Sequence, residues 1–284
     1  MTGEFWSPFD SRFKFFYRKN LNLELSFFEK KTLTSNPLGL GLMGVKKMKN
    51  FILEFHNNVQ EINDYFDFVK LIDSLPELAV PFQATYQINR ELQKVLKANC
   101  YLILYNLIEG SIRTGIEAIF IALSQQNLTY AQVNHSIKQI WLQYKYKVFK
   151  TGFSHAQVVD IIESIFDDII KIDYDDYIEK NKHHDISGSL DARKVRELAE
   201  VYGFSPPTIT CDSLGLIKHQ RNRLAHGRIN FSEAGKFNDI KELIDIKNEV
   251  IQYLDDVLSK IAEYINSEGY KDKAILHKII HKVH

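Results

Sequence analysis

Apolar residues recur every third or fourth position along most of this chain, the period of a helix that buries one face. Phe51, Phe55, Val59, Ile62 and Phe66 define a first amphipathic helix that ends near Ser74-Leu75-Pro76. From about Thr85 to Gln125 the pattern predicts the longest helix, single or kinked, with Leu102, Tyr105, Ile112, Ile116, Ile119 and Leu123 along one seam. Amphipathic segments follow at Tyr130 to Lys150 and Ser154 to Lys171, and then an exposed polar loop at Asn181 to Gly188. Asp191 to Tyr202 reads as a helix stopped by Gly203. Asp212 or Ser213 caps the next helix, Gly227 ends it in a left-handed conformation, and Phe237 to Ile265 is a last long amphipathic helix. Prolines stand only at 8, 37, 76, 81, 206 and 207, so none interrupts the helical stretch between 81 and 206. The expected fold is all-α.

The first 47 residues break this pattern: they are basic, rich in Phe, and close on the turn-like Asn36-Pro37-Leu38-Gly39. All three methionines lie at positions 1, 43 and 48. Two readings stand, an N-terminal arm (1–47) that packs on the domain or a partner, or translation that begins at Met48. The helical domain is expected over 48–270, followed by a basic His/Lys-rich tail, 271–284.

Composition narrows the classes of function. A chain with 45% hydrophobic residues can bury a large core, which argues against disorder. Lys plus Arg equals Asp plus Glu, 36 each, so no global field attracts nucleic acid and any polyanion site must be local. Two distant cysteines, Cys100 and Cys211, offer neither a disulfide framework nor metal spacing, which fits a reducing cytoplasm. The longest apolar run, Cys100 to Ile108, is broken by Asn106 and ended by Glu109, so no membrane span is expected. The first residues lack the apolar centre of a secretory leader.

Two charges stand where apolar residues belong. In the helix before Gly227, Leu214, Ile217, Leu224 and Ala225 form an apolar stripe with Arg221 in its middle. A guanidinium there is costly to desolvate unless an anion meets it. On the seam of the long helix, Glu109 falls four after Tyr105 and three before Ile112. Pairing Glu109 with Arg221 across two packed helices would solve both problems; the rival partner for Glu109 is Arg113, one turn along. From Ser213 to Ser232 there is no acidic residue, while Lys218, Arg221, Arg223 and Arg228 gather with His219 and His226. That is the local basic patch a phosphodiester needs. His226 stands at a helix end, where a histidine can exchange a proton near neutral pH. Because RNA carries its own 2′-hydroxyl nucleophile, a histidine for proton transfer and an arginine for the phosphorane charge suffice, without metal or cofactor.

The segment Arg221-Asn222-Arg223-Leu224-Ala225-His226 resembles the Arg-Asn-x-x-x-His signature of HEPN-domain ribonucleases. The likeness extends to Asp191-Ala192-Arg193-Lys194-Val195-Arg196-Glu197-Leu198-Ala199, Tyr202-Gly203-Phe204, Leu216-Ile217-Lys218 and the Tyr105 to Arg113 stretch, which resemble the MAE-like branch of prokaryotic HEPN proteins. It covers roughly Met48 to Tyr270. The resemblance implies a helical bundle that dimerises with two motifs facing one another, and a metal-independent endoribonuclease that acts as a toxin or defence effector, with an antitoxin or defence-system protein as partner. It implies that Arg221 binds the scissile phosphate, Asn222 positions its neighbours, His226 transfers protons and Glu109 supports them. Lys218, Arg223, Arg228 and Arg113 are the expected RNA-binding cations. The alternative is a non-catalytic HEPN module that binds RNA, a nucleotide or a protein.

Other candidates have plainer readings. His277 and His281 have metal-ligand spacing but lie in a Lys-rich tail; His183 and His184 are loop residues; the acidic run Asp173 to Asp176 has no second carboxylate cluster beside it. Trp141, Tyr144 and Tyr146 interleave with lysines in a pattern that suits RNA stacking, yet aromatics at helical spacing more often belong to a core.

Overall fold

The computed structural model describes residues 42–75, 77–78, 86–145 and 190–272, with isolated positions at 159, 162–163, 170 and 177. The chain divides into two compact units, Met1–Val45 and Lys46–His284; Leu42–Val45 apart, every described residue belongs to the second. Helix α1 is Leu42–Ser74. A two-residue antiparallel pair, β1 (Glu77–Leu78) and β2 (Tyr86–Gln87), precedes α2, Arg90–Ser124. After a 3₁₀ turn at Tyr130–Gln132 come α3 (His135–Lys145), α4 (Ala192–Tyr202), α5 (Ser213–Ala225), α6 (Phe231–Ala234) and α7 (Ile240–Asn266). The fold is all-α. The segment expected as a helix at Ser154 to Lys171, the loop at Asn181 to Gly188 and residues 273–284 lie outside the described residues, isolated positions apart.

Helix α2 is one continuous helix, N-capped by Asn89, whose side chain accepts from the Leu92 amide at 2.8 Å. It buries far more than the single seam its sequence suggests. Cys100, Leu104, Leu107, Ser111 and Gly115 are buried along with Tyr105, Ile112, Ile116 and Ile119, because α5, α6 and α7 all pack on it. Gly115 sets the spacing to α7: a Cβ there would lie 2.8 Å from Ile261 Cδ1. Helix α1 is tied to the same centre through the Tyr65 hydroxyl, which donates to the Leu96 carbonyl, and through Lys247 of α7, which donates to Asn63 Oδ1. Trp141 is fully buried, a core residue; the Tyr144 and Tyr146 side chains lie outside the described residues.

Helix α7 also fixes where α5 begins. Asp256 Oδ2 accepts from the Thr208 and Ile209 amides at 2.6 and 3.0 Å, and Glu249, seven residues earlier on the same face, accepts from the Asp212 amide at 2.8 Å and from the Ser213 hydroxyl. Asp212 occupies the N-cap position but makes no side-chain cap bond, so the expected local cap is replaced by a carboxylate from another helix.

Candidate active site

Helix α5 ends in a Schellman motif. The Gly227 amide donates to the Leu224 carbonyl and the Arg228 amide to the Arg223 carbonyl, with Gly227 at φ +63°. A left-handed residue at that position releases the chain sharply and leaves His226, the C-cap residue, exposed beside the last turn.

Five residues back, Arg221 is half-buried. Its guanidinium carbon lies 4.7 Å from the centre of the Tyr105 ring on α2, and one of its nitrogens donates to Asn222 Oδ1 at 3.1 Å. Tyr105 itself is fully buried. Its hydroxyl accepts from the Leu190 amide at 3.3 Å, with the Glu109 carboxylate nearby. Burial, and after it the nearby Glu109 carboxylate, pushes the Tyr105 hydroxyl up to about 12, so it stays protonated. The two anomalous charges thus meet at one residue: the Glu109 carboxylate lies near the Tyr105 hydroxyl and Arg221 lies on the ring. An aromatic face accepts a guanidinium at a cost in desolvation far below that of an apolar wall.

The expected cations fare differently. Lys218 forms an ion pair with Asp191 Oδ2 at 2.7 Å, and the other oxygen of Asp191 caps α4 by accepting from the Lys194 amide at 2.9 Å. Burial pushes the Asp191 carboxyl up, but the hydrogen bonds from Lys218 and Lys194 outweigh it and leave the group below the ordinary carboxylate range. The acid-free window of the sequence is thus closed in space by a residue from α4. Arg223 is half-buried with its guanidinium carbon 5.4 Å from the Phe237 ring centre. Arg113 and Arg228 are exposed. Sequence reasoning missed Asp191 as the partner of Lys218; the N-cap signature of Asp191 was visible, its second bond was not. Among the described residues no cluster of three or more His, Cys, Asp or Glu is placed to hold a metal ion, and His183, His184, His277 and His281 lie outside them, as does Asp173 to Asp176. No helix among the described residues is long and apolar enough to cross a membrane.

The model of a MAE-like HEPN family matches residues 47–270. The chain belongs to the HEPN family. Membership points to a nuclease or RNA-related function for this HEPN protein. No curated protein and no solved structure matches it.

Proposed function

We propose that this HEPN protein is a metal-independent endoribonuclease acting as a toxin or defence effector, with Arg221, Asn222 and His226 contributing half of a site completed by a second copy. The observation that supports it most is the mounting of Arg221: a half-buried guanidinium fixed on an aromatic face and an amide, in a helix that ends on an exposed histidine. A rigid guanidinium suits the charge that develops on a phosphorane.

In the proposed reaction a base takes the proton from the 2′-hydroxyl, and its oxygen attacks phosphorus while Arg221 offsets the phosphorane charge. An acid then protonates the departing 5′-oxygen, leaving a 2′,3′-cyclic phosphate and a 5′-hydroxyl. Such acid–base help is typically worth ~10²- to 10⁴-fold. One chain offers one motif histidine for two proton transfers. Residues five apart on a helix also point roughly 140° apart, so Arg221 and His226 of one chain face different directions. Two copies related by a twofold would supply a base, an acid and two guanidinium groups. Asn222, four before His226, shares its side of the helix and holds Arg221 in place. Glu109 acts as a positioning residue through Tyr105.

The test compares wild type with His226→Ala on a panel of labelled RNAs and DNAs, reading cleavage together with growth inhibition on expression. RNA cleavage and toxicity lost in the variant support the assignment; equal activity and toxicity sink it. Binding of RNA by wild type without turnover would favour the non-catalytic HEPN reading, to which the engagement of Lys218 by Asp191 lends some support.

A further inference from the structure

Two aromatic rings remain in solvent directly after the motif: Phe237 is 51% exposed and Phe231 is 39% exposed. Phe231 opens α6, the short helix that packs on α2, and Phe237 follows it. Loose backbone does not account for the exposure of Phe237. Gly235 touches α2 so closely that a Cβ there would lie 1.9 Å from the Lys94 carbonyl oxygen. The Phe237 amide donates to the Ala234 carbonyl, and Asn238 Oδ1 accepts from the buried Tyr101 hydroxyl at 2.6 Å while its amide group donates to Glu242. The ring is thus carried on a segment fixed at both ends.

Charges of both signs border it, and the one over the ring is a guanidinium. Arg223 lies over the ring and sits three residues before His226 on the last turn of α5, and the exposed Arg228 is joined to Arg223 through the backbone. The neighbouring carboxylates of Glu233, Asp239 and Glu242 accept from backbone amides at the starts of α6 and α7, which ties them to the helix ends. A rigid aromatic ring left in water, with a guanidinium on it and His226 one turn along the same helix, has the elements of a stacking site for a nucleobase.

We propose that Phe237, backed by Arg223, is a stacking platform for an unpaired base of the RNA whose phosphate lies beside His226 in the two-copy site. This rests on the ribonuclease reading for the origin of that phosphate, and it narrows the substrate class to single-stranded RNA. Bases in a duplex have no free face to offer, and every unpaired base has one, so recognition at this point tolerates sequence.

The test measures binding by the full chain carrying His226→Ala, using fluorescently labelled single-stranded RNA of about 12 nucleotides. Phe237→Ala is expected to weaken binding about 5- to 150-fold, the size of one lost base–aromatic stack. Phe237→Trp is expected to restore it and Phe237→Leu is not. The salt dependence stays the same in all three, because no phosphate contact is lost. Unchanged affinity in Phe237→Ala, full rescue by leucine, or no RNA binding by the parent chain each overturns the proposal. A fall in oligomeric mass on Phe237→Ala, measured by sedimentation, also overturns it by assigning the ring to a protein interface. Cleavage by chains that retain His226 is read separately: an uncleaved RNA that still needs Phe237 to bind sinks the ribonuclease reading alone, whereas normal cleavage and affinity in Phe237→Ala sink the platform alone.

Discussion

Tyr105 carries two separable tasks, and two substitutions divide them. Tyr105→Phe keeps the ring beneath Arg221 and removes the hydroxyl that accepts from Leu190 and lies near Glu109. The position is fully buried, so the Leu190 amide loses its partner where water cannot easily replace it. The cost is about 1–3 kcal/mol. For a domain of this size that lowers Tm by roughly 2–4 °C per kcal/mol. Tyr105→Leu removes the ring as well, forfeiting a cation–π contact worth about 0.5–2 kcal/mol and leaving Arg221 on a surface that no longer orients it. If Arg221 works as proposed, RNA cleavage should fall only a few-fold in Tyr105→Phe and at least about ten-fold in Tyr105→Leu, since ~1.4 kcal/mol of transition-state stabilisation is worth that factor. The assay pairs thermal unfolding with kcat/KM on one RNA. Equal kcat/KM in the two variants, at temperatures where both are folded, would refute the idea that the ring positions Arg221.

Further outcomes follow from the same contacts. Gly227→Ala meets open space but forces a side chain into the left-handed region, so it should cost about 1–2 kcal/mol in urea unfolding with an unchanged m-value. A cost near zero would contradict the Schellman geometry. Asp191, Glu249 and Asp256 all have carboxyls held below their ordinary values: burial raises each, and hydrogen bonds from Lys218 and Lys194, from Ser213 and Asp212, and from Ile209 and Thr208 respectively outweigh it. Depressed folded values mean that this stability is present above the unfolded carboxylate range, about pH 4, and is lost as pH falls through the folded values. The urea midpoint should therefore drop below about pH 4, and less so in Glu249→Gln; a midpoint that stays flat to about pH 3 would count against these clamps. Burial pushes the Cys100 and Cys211 thiols up to about 12, so neither should react with a thiol reagent at neutral pH until the protein unfolds. Rapid labelling of the native chain would disprove it.

What the sequence disclosed and what it hid divide along local and distant contacts. Helix α4 was legible from Asp191 to Gly203 because both caps are local: an N-cap aspartate and a left-handed glycine at φ +83°. The end of α5 was legible for the same reason. Its start at Asp212 was legible too, but the group that satisfies it was not, because Glu249 lies far along the chain. The four residues of α6 are too few to show a period, although Asn230 and Glu233 form a capping box that the sequence carries. Another such box, Asp239 with Glu242, starts α7 at Ile240 rather than Phe237 and leaves that ring in the preceding loop. In the site, Arg221 was conspicuous as a charge on an apolar stripe, but the nature of its seat was not: a stripe read in one dimension cannot tell a carboxylate from an aromatic face. The acid-free window around Lys218 misled for a similar reason, since Asp191 reaches it only in space.

The most direct measurement of the central proposal uses wild-type protein, excess EDTA and one RNA in two forms, all-ribose and with a single 2′-deoxy substitution at the mapped cleavage position. The account predicts cleavage of the first without added metal, giving 2′,3′-cyclic phosphate and 5′-hydroxyl ends, and no cleavage of the second at that position. A requirement for Mg²⁺, or cleavage at the 2′-deoxy position, would contradict it.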